Sequence, residues 1–166
     1  MLAEEWTDVP DFPEYSISNY GRVRSIRLDR LLAWSPIYYN IPTVGMMRDG
    51  VQMRRSVPVL VCRAFIPQPA PHFDTPIHLD GDRTNCRVDN LAWRPRWFAI
   101  NYHKERQNVT YPEWSKDFRL LETGELFGHP SEAAMKYGEL ERQIHRSLYA
   151  GRETFPHEHH YVWEES

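Results

Sequence analysis

Residues 76–104, PIHLDGDRTNCRVDNLAWRPRWFAINYHK, constrain this chain more than any other part of it. They place His78, an Asp-Gly-Asp turn signal, Asn85, Asn90 and His103 within fewer than thirty residues. So short a stretch cannot bury a core of its own, so it must be a motif that the rest of the chain supports. Residues 77–79 read as a strand, Gly81 supplies the positive φ of a tight turn, and residues 88–93 read as the returning strand. Pro95 suits the first turn of a helix, where its missing N–H costs nothing, and that helix carries Trp97 to Arg106. The expected unit is strand, turn, strand and helix, with His78 ending the first strand and His103 facing it from the helix.

The string His78-Leu79-Asp80-Gly81-Asp82-x-x-Asn85-x-x-x-Asp89-Asn90-Leu91-x-Trp93 resembles the HNH nucleases of phage and intron homing endonucleases. Arg63-Ala64-Phe65-Ile66-Pro67 resembles the helix that leads into their motif. Glu5-Trp6-x-x-Val9 followed by Tyr15-Ser16-Ile17-Ser18-Asn19-Tyr20-Gly21-Arg22-Val23-Arg24-Ser25 is similar to a nuclease-associated modular (NUMOD-like) motif that often precedes such domains. Thr123-Gly124-Glu125, Ser131-Glu132-Ala133-Ala134 and Gly138 are similar, more loosely, to the helix-turn-helix modules that often follow.

Phosphodiester hydrolysis needs an activated water, neutralised charge at the scissile phosphate and a stabilised leaving oxygen. A histidine supplies the base and one divalent metal supplies the rest. The resemblance implies His78 as general base and Asn90 as the middle residue, whose amide donates and accepts at once. It also implies a hard, oxygen-seeking ion, Mg2+ or alternatively Mn2+. Two positions depart from the family pattern. Ile77 stands where many members carry a carboxylate, Asn or His ligand before the base, and Ala99 stands where the helix often carries an Asn ligand. His103 lies one helical turn beyond Ala99 on the same face, with Asn101 nearby. The expected catalytic set is His78, Asn90 and His103. The expected metal ligands are His103, Asn101 and a carboxylate from Asp80, with Asp82 and Asp74 as alternatives.

A net charge of −3 argues at first against a nucleic-acid partner, but the average conceals a segregation. Residues 20–63 hold eight Arg against two Asp, residues 1–19 hold five acids and no Lys or Arg, and residues 110–166 hold six basic against eleven acidic residues. Positive charge therefore collects next to the motif, where a phosphate backbone would lie; the alternative is a solvated Arg-rich sheet face. Cys62 and Cys86 form neither a CxxC pair nor a disulfide framework, and no apolar run approaches a membrane span. A soluble protein in the reducing cytoplasm of a bacterial host is the expectation, with no membrane partner.

Along the rest of the chain, residues 17–27 suggest a two-stranded hairpin with Arg22 and Arg24 on one face. Residues 37–47 and 51–55 suggest a second hairpin around Asp49-Gly50, and Ser56 reads as the cap of a short buried helix ended by Pro67. Residues 107–116 read as a linker, residues 118–127 as a hairpin turning at Thr123-Gly124, and Ser131 as the cap of a helix reaching Tyr137. A second helix, with Leu140, Ile144 and Leu148 inward and Arg142, Gln143 and Arg146 outward, ends at Gly151. Helix, Gly-containing turn and helix match the layout of a major-groove reader, and His157, His159 and His160 read as a solvated tail.

The fold class expected is α+β: an HNH (ββα-metal) nuclease core with N-terminal β-hairpins and a small C-terminal helix-turn-helix-like module. Its domains are a nuclease domain over 1–107 (NUMOD-like motif 5–27, HNH motif 57–107), a linker over 108–117 and a DNA-binding module over 118–166. The function expected is a homing-type endonuclease that nicks or cuts double-stranded DNA, with the oligomeric state left open. Arg22, Arg24, Arg94 and Arg96 are assigned to the phosphate backbone, and Arg142, Gln143 and Arg146 to base edges. The rival readings are a DNA-binding protein built on a decayed nuclease, which Ile77 favours, and a zinc-stapled module, which the missing CxxC pair disfavours.

Overall fold

The structure is a computed structural model that describes residues 3–36, 40–107 and 116–165. It is α+β, with two compact units, Met1–Ala99 and Ile100–Ser166. The expected linker falls mostly outside the described residues, as do the first residues of the strand expected from residue 37.

In the first unit, β1 (Trp6–Val9), β2 (Phe12–Ser18), β3 (Val23–Ser25) and β4 (Arg30–Leu31) form an antiparallel sheet in that order. The expected hairpin is its β2–β3 pair, with Ile17 opposite Val23. A second sheet joins β5 (Ser35–Pro36), β6 (Pro42–Arg48) and β7 (Val51–Ser56). Asp49 and Gly50 turn this hairpin with φ of 51° and 77°, the two positive values that a tight two-residue loop requires. The Tyr15 hydroxyl accepts a hydrogen bond from the Met47 N–H at 2.9 Å and ties the two sheets together.

Helix α1 (Val57–Phe65) starts directly after β7 with Pro58 in its first turn, where no N–H is missed. Ser56 occupies the cap position as expected, but its side chain makes no capping bond. Val57, Leu60, Val61 and Cys62 are buried, and α1 packs against β1, β2, β6, β7, β8 (Thr75–His78) and β9 (Leu91–Arg94). It is the common core element of both sheets and of the motif, which is why residues 57–65 carry so few polar side chains. Burial pushes the Cys62 and Cys86 thiols up to about 12, so both remain neutral, unpaired thiols.

The second unit has its own core of Phe118, Leu120, Phe127, Ala133, Ala134, Ile144, Leu148 and Tyr161. The hairpin of β10 (Phe118–Leu120) and β11 (Leu126–Phe127) forms as expected, and β12 (Tyr161–Trp163) adds a third strand on the free edge of β10. Helices α3 (Pro130–Tyr137) and α4 (Glu141–Ala150) end at Gly138 and Gly151, both left-handed. Two expectations are corrected. Helix α3 is capped by His129, whose ring nitrogen accepts from the Ser131 N–H at 3.1 Å, because Pro130 takes the first helical position and moves the cap back to His129. Two of the three tail histidines are not solvated: His159 lies 2.8 Å from the fully buried Glu139 carboxylate, which also accepts from Thr154 and Tyr161, and His160 lies 2.9 Å from Glu122, whereas His157 is exposed as expected. Among the described residues no helix is long and apolar enough to cross a membrane.

Gly21 shows how the N-terminal hairpin supports the motif. Its φ is 80°, and a β-carbon there would lie 2.8 Å from the β-carbon of Cys86 and 3.0 Å from the Cys86 carbonyl oxygen. Gly50 has a similar φ of 77° but no atom within 4 Å. Gly21→Ala is therefore expected to lower stability by about 2–4 kcal/mol, combining left-handed strain with overpacking, while Gly50→Ala costs about 1 kcal/mol. Denaturant titration of the two variants checks this, and equal losses would rule out the close approach as the cause.

Candidate active site

The motif folds as strand β8, a loop, one 3-10 turn over Val88–Asn90, strand β9 and helix α2 (Arg96–Gln107). β8 and β9 pair antiparallel, with Ile77 opposite Ala92 and His78 opposite Leu91. The returning strand expected from residue 88 begins at Leu91, because the 3-10 turn takes the first three positions. Pro95 precedes the helix and its carbonyl accepts from the Phe98 and Ala99 N–H groups, so it acts as the cap.

Asn90, only 8 % exposed, holds the loop at both ends. Its side-chain oxygen accepts from the Asp80 N–H at 3.0 Å, and its amide donates to the Asp80 carboxylate at 2.8 Å and to the Asn85 carbonyl at 2.9 Å. Its backbone carbonyl accepts from the Leu79 N–H at 2.9 Å. Asp80 also accepts from the Asp82 N–H at 2.9 Å and from the Asn85 amide at 2.7 Å, and Asp82 accepts from the Thr84 N–H and hydroxyl. Those Thr84 bonds hold the Asp82 carboxyl below the usual carboxylate range. Gly81, at φ 81°, closes the turn by donating to the His78 carbonyl at 3.0 Å.

His78 ends β8 and is 2 % exposed. Burial pushes its pKa down to about 4; Asp80 and Asp82 oppose this, and Arg83 adds to it. At neutral pH the imidazole is unprotonated, the form a general base requires. The N-terminal motif braces the same loop. The Val88 N–H donates to the Asn19 carbonyl at 2.8 Å, and the Arg87 guanidinium lies 4.2 Å from the Tyr20 ring centre while bonding Asp89 twice at 3.1 Å. Asn19 is itself clamped, accepting from the Glu5 N–H and donating to the Ala3 carbonyl. Composition gave no sign of this bracing; these contacts and the close approach of Gly21 to Cys86 reveal it in space.

The remaining expected residues fall as follows. Ile77 and Ala99 are buried, at 0 % and 1 % exposure. Asn101 and His103 lie on the part of α2 that belongs to the second unit, both half-buried. Among the described residues no three His, Cys, Asp or Glu side chains converge as a ready-made metal cage. A small hard ion needs no such cage, since it takes one or two carboxylates and completes its shell with phosphate and water. The Asp80 carboxylate is exposed and oriented by three hydrogen bonds, so it fits the part. Arg22 and Arg24 are half-exposed and form ion pairs with Glu4 and Asp29, and Arg96 is exposed. Arg94 is 6 % exposed, donates to the Trp93 carbonyl at 2.8 Å and sits 5.7 Å over Phe98, which places it in the packing of the first unit. Arg142 and Arg146 are exposed on α4, whereas Gln143 is half-buried and accepts from the Phe155 N–H at 3.4 Å. Tyr149, 73 % exposed on the same helix, lies one turn beyond Arg146 and extends the exposed stripe of Arg142 and Arg146.

A strand ending in a buried histidine, a loop closed by an asparagine, a returning strand and a helix define the class: the ββα arrangement of HNH-type nucleases. Residues 4–45 match the NUMOD4 motif. The chain is similar to an uncharacterized HNH endonuclease, L247, of Acanthamoeba polyphaga mimivirus, 27 % identical over 55 % of this chain and 24 % of the relative. A second mimivirus protein, the uncharacterized HNH endonuclease L245, is 30 % identical over 55 % of this chain and 27 % of its own length. The H-N-H endonuclease F-TflII of Escherichia phage T5 is 29 % identical over 55 % of this chain and 48 % of that protein. The chain thus spans about a quarter to a half of the curated relatives it matches. A solved structure described as DNA binding and cleavage by the HNH homing endonuclease I-HmuI matches 98 % of this chain and 99 % of that one, with a TM-score of 0.56 and 18 % identity. The fold is that of an HNH homing endonuclease, with a NUMOD4 motif at its start.

Two measurements test the site's construction. Asn90→Ala strips the Asp80 N–H and carboxylate of a buried partner, so a loss of about 2–4 kcal/mol is expected in denaturant titration. A loss under about 0.5 kcal/mol would mean the loop closes without it. The second concerns His78 in EDTA. Its folded pKa near 4 lies below the unfolded value of 6.5, so the unfolded chain binds more protons between these limits. Its contribution is thus fully present above pH 6.5 and is lost as pH falls through 4. The shift corresponds to about 3 kcal/mol at most. Wild type minus His78→Phe, measured across that window, isolates the effect, and a flat difference would overturn the assignment.

Proposed function

We propose that this protein is a metal-dependent HNH endonuclease of the homing type that hydrolyses phosphodiester bonds in double-stranded DNA. The observation that carries the reading is His78, buried at the end of β8 with its pKa pushed down by that burial, beside a loop closed by Asn90. On this reading a water molecule loses its proton to the His78 imidazole as it attacks phosphorus. Asn90 keeps β8 and the loop in register, so His78 and Asp80 meet the phosphate as one preorganised unit. Asp80, His103 and Asn101 are the proposed ligands of a divalent ion, Mg2+ by the hardness of the Asp80 and Asn101 oxygens, with Asn101 giving up its 3.4 Å contact to Arg142 when it binds the ion. When bound, that ion neutralises charge at the scissile phosphate and the leaving oxygen.

Residues 1–107 form the proposed nuclease domain and residues 118–166 the DNA-binding module, acting on DNA in a bacterial host's cytoplasm. Arg22, Arg24 and Arg96 are proposed to exchange their surroundings for phosphate, since exposed ion pairs of this kind are worth about 0–1 kcal/mol and are easily traded. Arg142 and Arg146 are proposed to read base edges. Gln143 is the weaker member of that trio, being engaged by the Phe155 N–H. Arg94 stays in the proposal only as a residue that shapes the start of α2.

A second reading, a DNA-binding protein that no longer cleaves, is favoured by the apolar, buried Ile77 and Ala99 at two positions where relatives of this motif often carry ligands. Supercoiled plasmid separates the two. The endonuclease reading expects nicked or linear product with Mg2+, none with EDTA, and a rate about two to four orders of magnitude lower for His78→Ala with DNA affinity retained. Binding without cleavage at any divalent ion supports the second reading, and equal rates for wild type and His78→Ala remove His78 from the chemistry.

A further inference from the structure

Helix α4 begins with a deficit. Leu140 occupies its N-cap position and has no side-chain oxygen to accept from the first exposed N–H groups. The missing acceptor comes from α2: Glu105 accepts from the Glu141 N–H at 2.9 Å through one carboxylate oxygen. Its other oxygen lies 3.7 Å from the Arg142 Nε, and the Asn101 side-chain oxygen accepts from the Arg142 Nη1 at 3.4 Å. Arg106, with its side chain 5 % exposed, closes the group by donating to Glu141 at 2.8 Å. Beneath these contacts the Tyr102 hydroxyl donates to the Ala134 carbonyl at 3.4 Å at the end of α3. All of these residues belong to the second unit.

The Arg142 side chain is half-exposed, and the Glu105 carboxylate approaches its Nε side, which narrows the rotamers it samples before any ligand arrives, so less is lost when its N–H groups meet a base. We propose that Glu105 is a positioning residue for sequence reading: it caps α4 and buttresses Arg142 so that the arginine is preorganised to meet a base edge, guanine by the chemistry of the guanidinium fork. The proposal rests on the reading of α4 as the recognition helix and names the residue that orients the first of its two exposed arginines.

The test uses the full chain in EDTA and two duplexes of equal length, one enriched by the wild-type protein from a randomised pool and one scrambled. Glu105→Gln keeps an oxygen for the α4 cap and removes the charge that faces Arg142. Its affinity for the enriched duplex is expected to fall about three- to tenfold, with affinity for the scrambled duplex unchanged. In an Arg142→Ala background the same substitution is expected to add nothing, because it acts through Arg142. If Glu105→Gln does not fold, Glu105→Asp, which withdraws the carboxylate by one methylene, carries the same expected split. Tighter binding of both duplexes would make Glu105 a competitor of DNA and overturn the proposal, as would additive losses in the double variant. If Arg142→Ala itself binds the enriched duplex as wild type does, the reading of α4 fails; if only Arg142→Ala weakens it, the role of Glu105 fails.

Discussion

The side-chain amide of Asn90 closes the loop on which the candidate site is built. It uses its acceptor on the Asp80 N–H and its donors on the Asp80 carboxylate and the Asn85 carbonyl. An aspartate of the same size could not donate, and two carboxylates would then face each other across 2.8 Å. Because the group is buried, each bond is stronger than in water and each loss leaves an uncompensated partner. Apart from the 3-10 turn over Val88–Asn90 the loop between β8 and β9 has no regular structure, so its shape, and with it the surroundings of His78, leans on the bonds this side chain makes across it.

The N-terminal hairpin is part of the same construction. Gly21 approaches Cys86 more closely than a β-carbon permits, the Asn19 carbonyl receives the Val88 N–H, and Arg87 stacks on Tyr20. The region matched by the NUMOD4 motif therefore braces the motif loop as well as presenting arginines. The charge segregation is partly consumed internally: Arg22 pairs with Glu4, Arg24 with Asp29, and Arg55 lies 5.2 Å over Phe12. The exposed ion pairs of Arg22 and Arg24 orient these side chains and are worth about 0–1 kcal/mol each.

In the second unit the acidic surplus is structural. Glu139 is fully buried in the turn between α3 and α4 and is satisfied by Thr154, Tyr161 and His159, which draws the last described residues back against the helices. Glu105 and Glu141 serve the start of α4 and its contacts with α2. Net charge thus underestimates how basic the outward face of α4 is, with Arg142 and Arg146 exposed on it.

The local signals were legible without coordinates. The positive-φ turn at Asp49-Gly50, the glycine C-caps at Gly138 and Gly151, the buried run of α1 and the spacing from His78 to Trp93 each depend on neighbours within a few residues, so they survive as pattern. What only the tertiary structure decided depends on groups far apart in the chain. His129 displaced Ser131 as a cap, His159 and His160 found carboxylate partners where solvent was expected, Arg94 went into the packing, Gln143 turned to Phe155, and Glu105 supplied the cap that Leu140 lacks. A side chain's polarity says that it needs a partner. Which partner it finds, and whether it faces water, is set by the packing of elements that the sequence does not place side by side.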